Sequence, residues 1–121
     1  MSTRSRLWCL VADVASIVVF VAIGRCNHDE GVAAGGIART AAPFLVALAV
    51  TWLVAIVWAR PLTARSGLIT WIGTVALGMV LRHFVFSDGT ATAFVIVAAL
   101  FLGAVLNGWR AVVRRRLAPA S

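Results

Sequence analysis

The chain has 121 residues, of which 62% are hydrophobic and only 12% carry a charge. A soluble globular domain is nearer half apolar and a quarter charged, so a single domain of this composition is suited to lipid rather than water. The net charge of +7 comes from arginine without any lysine, and the arginines gather at the ends of apolar segments, which favours anionic lipid headgroups as partners and argues against nucleic acid.

The first apolar segment, residues 7–24, follows Arg4 and Arg6 and could be mistaken for a signal peptide. It is longer than the usual signal core, Asp13 interrupts it, and no small-x-small cleavage site comes after it. The segment therefore predicts a first transmembrane helix.

Three further apolar segments follow, at residues 43–59, 68–86 and 91–109. Each is long enough to cross about 30 Å of hydrocarbon as a helix. None alternates polar and apolar residues as a barrel strand would. The fold class predicted is all-α, an integral membrane bundle of four transmembrane helices that forms a single domain over residues 1–121.

The connections refine this prediction. Residues 25–42 form the longest loop, in which we expect a short interfacial helix near residues 32–40, and Pro43 suits the first turn of the second helix. Ser66 is expected to cap the third helix. Residues 87–90 predict a tight turn, and residues 110–121 a basic tail.

Arginine positions predict the orientation. With four spans, both termini and the second connection share one side and hold eight arginines, whereas the first connection holds two. The positive-inside rule then puts both termini in the cytoplasm and the chain in the plasma membrane. Tryptophans near the same interface agree, with one exception, Trp52, near the middle of its segment; the four are Trp8, Trp58, Trp71 and Trp109.

Asp13 is the only acid inside the four segments. An ionised carboxylate within lipid costs a few kcal/mol unless it is paired, so its side chain should point into the bundle. Thr74 and Asn107 are candidate neighbours at a similar depth, and Arg110 or Arg60 could reach it from the inner edge. Two interpretations stay open: a polar clamp that fixes helix register, and a carboxylate that carries a proton or cation.

Arg82 lies in the outer third of the third segment, too far along it for a direct pair with Asp13. Its side chain can extend to the headgroups or meet Asp88. His28 and His83 match no metal-ligand spacing, so no metal and no cofactor is predicted. Small residues four apart, such as Thr74 and Gly78, predict close helix packing within one chain or between subunits.

Several short motifs spread over nearly the whole chain resemble those of the domain-of-unknown-function 3054 (DUF3054) family of small bacterial and archaeal membrane proteins. The residues that carry the resemblance are Asp13, Ile23-Gly24-Arg25, His28, Pro43-Phe44, Trp71, Thr74, Gly78-Met79, Arg82, Phe94 and Trp109-Arg110. The resemblance implies four transmembrane helices and no particular activity. Small multidrug resistance exporters share the length and the acid in the first helix, but this chain has no tyrosine.

No nucleophile–base set or paired carboxylates can be found, so an enzyme is not expected. The favoured hypothesis is a non-enzymatic packing or accessory protein, as a homo-oligomer or within a larger membrane complex. The alternative is a small proton-coupled or cation transporter that uses Asp13.

Overall fold

The computed structural model describes residues 1–27, 33–86 and 92–117, and nearly all of these are helical. There are four long helices and one short 3-10 helix, and the described residues contain no strand, so the predicted all-α fold is confirmed. The elements are α1 (Thr3–Asn27), α2 (Ala34–Val54), the 3-10 helix η1 (Val57–Ala59), α3 (Ala64–Phe84) and α4 (Thr92–Leu117).

Each long helix packs against its neighbours in the chain, and α1 also packs against α4, which closes the bundle. The directions of the helices can be seen from the contacts of Asp13, which lies in the first half of α1. It bonds to Arg110 in the second half of α4 and to Trp52 near the end of α2, so α1 runs opposite to both α2 and α4. The start of α1, the end of α4 and the α2–α3 connection therefore lie at the same end of the bundle. We call it the basic end, after Arg4, Arg6, Arg60, Arg65 and Arg114–Arg116.

All four long helices are long and apolar enough to cross a membrane. Large apolar side chains such as Leu53, Phe84 and Leu100 are exposed on the outside of the bundle. A surface of this kind is unfavourable in water and natural in lipid, so the fold is that of a multi-pass membrane protein.

The second helix differs most from its prediction. It begins at Ala34 and ends at Val54, rather than covering residues 43–59. Residues 34–40 are its first turns and not a separate interfacial helix, while residues 28–32 lie outside the described part. Pro43 is thus buried inside α2 rather than in its first turn. Proline lacks an N–H and its ring crowds the carbonyl four residues earlier, but a membrane helix packed on its neighbours tolerates this.

The other bounds move by a few residues, and two local predictions need correction. Thr63, rather than Ser66, caps α3, because its hydroxyl oxygen accepts the backbone N–H of Ser66. The helix α4 runs on to Leu117, so residues 110–117 are helical and not a separate tail. The predicted turn at residues 87–90 lies outside the described residues.

Phenylalanines from three helices fill the half of the bundle away from the basic end. Phe20 packs its ring edge-on against Phe44 at 6.2 Å and lies 5.4 Å from Phe101. Phe94 contacts both Phe20 and Phe44. Such aromatic contacts contribute beyond the area they bury, so this cluster ties α1, α2 and α4 together.

Glycines on α3 and α4 allow neighbouring helices to approach closely. Gly78 lies under the ring of Phe44, and Gly103 lies under the indole of Trp71. The Trp71 indole then donates to the carbonyl of Ala99 at 2.8 Å, so this tryptophan is held within the bundle. Gly78 and Gly103 therefore pack against residues of their own chain.

Replacing Gly78 by alanine should lower the free energy of unfolding by about 1–3 kcal/mol, as overpacking a filled core does. The added Cβ would lie 2.5 Å from Cδ1 of Phe44, whose ring is fully buried and cannot move aside. Gly108→Ala is the matched control, since nothing lies within 4 Å of its Cβ. Thermal unfolding in mild detergent would measure both, and equal stability of the two variants would contradict the packing described.

Candidate functional site: a buried carboxylate clasp

An ion pair between the first and last helices lies at the basic end of the bundle. Asp13 of α1 and Arg110 of α4 are both fully buried. Nη1 of Arg110 is 2.7 Å from Oδ1 of Asp13, and Nη2 is 2.7 Å from Oδ2. Two parallel N–H···O bonds of this kind form the strongest and most directional pairing between guanidinium and carboxylate.

Two indoles complete the ligation of the carboxylate. Trp52 of α2 donates its Nε1–H to Oδ2 at 2.9 Å, and Trp109 of α4 donates to Oδ1 at 2.9 Å. Asp13 thus accepts four hydrogen bonds, the number of lone-pair sites on an ionised carboxylate. We call these four residues the Asp13 clasp: Asp13, Trp52, Trp109 and Arg110.

The guanidinium of Arg110 is equally well occupied. Its Nε donates to the carbonyl of Pro61 at 2.7 Å, and Nη1 also donates to the carbonyl of Leu106 at 3.0 Å. Its planar group lies 4.5 Å from the centre of the Trp109 ring, within the range of a cation–π contact. The clasp therefore joins α1, α2 and α4 to the connection that precedes α3.

The position of the clasp follows from its neighbours on α3. Gly67 lies directly beside Arg110, so that a Cβ there would sit 3.0 Å from Cδ of the arginine and 2.6 Å from Oδ1 of Asn107. Only a glycine leaves room for the arginine to pass between α3 and α4. Small residues on one helix thus make space for the charged pair between two others.

The sequence model of the family described as "Protein of unknown function (DUF3054)" matches residues 10–113. This match covers most of the chain. The chain belongs to the DUF3054 family. The resemblance seen in its motifs is confirmed, and all four residues of the Asp13 clasp fall within the matched region. Neither the curated proteins nor the solved structures give a significant match to it.

The other candidate neighbours of Asp13 in this DUF3054 protein lie elsewhere. Asn107 donates from Nδ2 to the carbonyl of Gly103 on its own helix at 2.8 Å. Thr74 is fully buried, and its hydroxyl has no hydrogen-bond partner among the described residues. Arg60 is exposed in the α2–α3 connection, where its backbone carbonyl accepts the hydroxyl of Ser66. Of the two arginines proposed for Asp13, the structure brings only Arg110 to it.

Residues at the opposite end do not join the clasp. The guanidinium of Arg82 lies 4.3 Å from the centre of the Phe94 ring. Asp88, its suggested partner, and His28 lie outside the described residues. His83 is exposed and stacks edge-on against Phe84. Within the described ranges no three His, Cys, Asp or Glu side chains come together as metal ligands could.

Trp52 is the member of the clasp that the sequence analysis missed. With the second helix assigned to residues 43–59, Trp52 fell near mid-membrane; because α2 ends at Val54, it lies at the depth of Asp13. A signal was available, since a buried indole N–H needs an acceptor and Asp13 is the only acid in the apolar segments. Trp109 was assigned to the interface, and its contact with Asp13 was missed as well.

Replacing one member of the Asp13–Arg110 pair should destabilise the protein more, per residue changed, than replacing both members together. Asp13→Leu or Arg110→Met alone should lower the free energy of unfolding by about 3–5 kcal/mol, because each leaves a buried unpaired charge or fork. The double variant should lose less than the two losses added together. Steric trapping in bicelles would measure all three variants, and strictly additive losses would contradict a direct pair.

Trp52→Phe tests the indole bond separately, because it keeps an aromatic ring and removes the N–H donor to Asp13. We expect a loss of about 1.5–3 kcal/mol in the free energy of unfolding, the range for a hydrogen bond to a charged group. Trp8→Phe is the matched control, since Trp8 is 63% exposed. A Trp52→Phe protein as stable as the Trp8→Phe protein would show that the bond contributes nothing.

Proposed function

We propose that this DUF3054 protein is a non-enzymatic component of the plasma membrane that acts through packing, as a homo-oligomer or as an accessory subunit of a larger membrane complex. The observation that favours this proposal over a carrier is the Asp13 clasp. The only acid within the described membrane-spanning helices is fully buried and holds four hydrogen bonds. Its charge serves the bundle itself.

The alternative, a carrier that uses Asp13, requires this carboxylate to release its partners and bind a transported proton or cation. In the clasp, each release would leave the guanidinium of Arg110 without its counter-charge in a site that excludes water. Removing one partner of a buried pair is strongly unfavourable, whereas keeping both is tolerated. The contacts therefore favour a fixed structural role over a transport cycle.

The arrangement of arginines supports an orientation with both termini in the cytoplasm. Arg114 donates to the carbonyl of Leu62 at 2.7 Å, and Arg6 lies 5.9 Å from the centre of the Trp58 ring. These contacts draw the two helix ends and the α2–α3 connection into one basic end. By the positive-inside rule this end faces the cytoplasm, where anionic lipid headgroups would contact it.

Flux measurements in proteoliposomes distinguish the proposed packing role from the carrier hypothesis. We expect wild-type protein to conduct protons and organic cations no faster than empty liposomes, as reported by a trapped pH dye and by cation uptake under a pH gradient. Light scattering in mild detergent should give the mass of an oligomer, or of a complex when the protein is purified from its own membranes.

Proton or cation flux in the wild type that disappears in folded Asp13→Asn protein would contradict the proposal and favour the carrier. Asn107→Ala is a suitable control for that comparison, since Asn107 bonds only within its own helix among the described residues. The mass of a monomer, both in detergent and after purification from native membranes, would contradict the proposed role as a homo-oligomer or accessory subunit.

A further inference from the structure

A cleft opens at the basic end, between the end of α2 and the start of α3. Its volume is about 330 Å³, at the lower bound for a small-molecule site. Apolar and basic groups share its wall, the main ones being Ile56, Ala59, Arg60, Thr63, Arg65 and Ile69. None of these residues belongs to the Asp13 clasp.

The two arginines of the cleft differ from Arg6, Arg110 and Arg114 at the same end of the bundle. Arg110 is paired with Asp13, Arg114 donates to Leu62, and Arg6 lies over Trp58. Arg60 and Arg65 are exposed, and neither guanidinium has a hydrogen-bond or ion-pair partner in the part of the chain that the structure describes. Two like charges beside one cleft repel each other unless an anion lies between them.

Apolar side chains also line the cleft, among them Ile56 and Ile69. Ile56 is 56% exposed and adopts a left-handed backbone conformation, with φ of 56° and ψ of 38°. For a β-branched residue this conformation is strained by about 1–3 kcal/mol. The bend follows the end of α2, and the cleft beside it is lined by Ile56 and Ile69 together with Arg60 and Arg65.

We propose that this cleft binds the phosphate of an anionic phospholipid between Arg60 and Arg65, with the acyl chain against Ile56 and Ile69. Arginine pairs with phosphate through two parallel bonds, and the first turn of α3 adds a helix N-terminus that favours an anion. The apolar wall and the position at the end of membrane-spanning helices fit a lipid better than a soluble phosphate. The site depends on the bundle spanning a membrane, not on the proposed non-enzymatic role.

Native mass spectrometry of the protein in mild detergent tests the site, with phosphatidylglycerol, phosphatidylcholine and inorganic phosphate as probes. We expect saturable binding of phosphatidylglycerol, at least about tenfold tighter than phosphatidylcholine, and no displacement by inorganic phosphate. The double variant Arg60→Gln/Arg65→Gln should weaken phosphatidylglycerol binding about tenfold or more. The matched control is Arg115→Gln/Arg116→Gln, which removes equal charge from exposed positions at the same end and should bind as the wild type does.

Equal weakening in both double variants would overturn the proposal, because general surface charge would then explain the binding. Displacement of phosphatidylglycerol by inorganic phosphate would overturn it in favour of a soluble anion site. Equal wild-type affinity for phosphatidylglycerol and phosphatidylcholine would overturn it without any variant, so the test stands even if the Gln variant folds poorly.

Discussion

A carboxylate inside lipid must have its partners inside the bundle, and much of this structure follows from how Asp13 obtains them. The fork of Arg110 sets the height of α4 against α1, because both N–H···O bonds require one register. The indole of Trp52 sets the end of α2 against the same carboxylate. Since Asp13 and Arg110 lie near opposite ends of the sequence, the clasp can close only when α4 has joined the bundle.

Arg110 and two further side chains stabilise the described stretch of irregular backbone between α2 and α3. Residues 55–63 leave carbonyl groups that no helix satisfies, and backbone of this kind is tolerated at a membrane only where other groups bond to it. Arg110 donates to Pro61, Arg114 to Leu62 and the hydroxyl of Ser66 to Arg60. Arg110 and Arg114 of α4 thus hold the connection in place, and Arg110 also neutralises Asp13.

Hydropathy alone predicted the four helices and the membrane, because apolar length is a property of the local sequence. The predictions from hydropathy failed where a polar residue is stabilised by another residue far away in the sequence. Arg110 was named as a candidate partner of Asp13, but it was also assigned to the basic tail, since an arginine ordinarily marks the end of a span; its pairing with Asp13 keeps it buried within α4. Pro43 was taken as a helix start for a similar reason, although neighbouring helices support it inside α2. Because the predicted bounds of that helix were wrong, Trp52 was placed near mid-membrane instead of at the depth of Asp13.

A charged clasp provides a selectivity between helices that apolar contacts in lipid do not. Between membrane helices there is no strong hydrophobic force, because lipid tails are as apolar as leucine, so apolar faces select their partners weakly. An apolar replacement for a buried ion pair can be as stable, but it lacks direction. A bidentate fork with two further indole donors fits one arrangement of α1, α2 and α4, and Gly67 gives the arginine the space to reach it. We infer that the clasp specifies which helices pack together, and that close glycine contacts such as Gly78 under Phe44 then supply the packing.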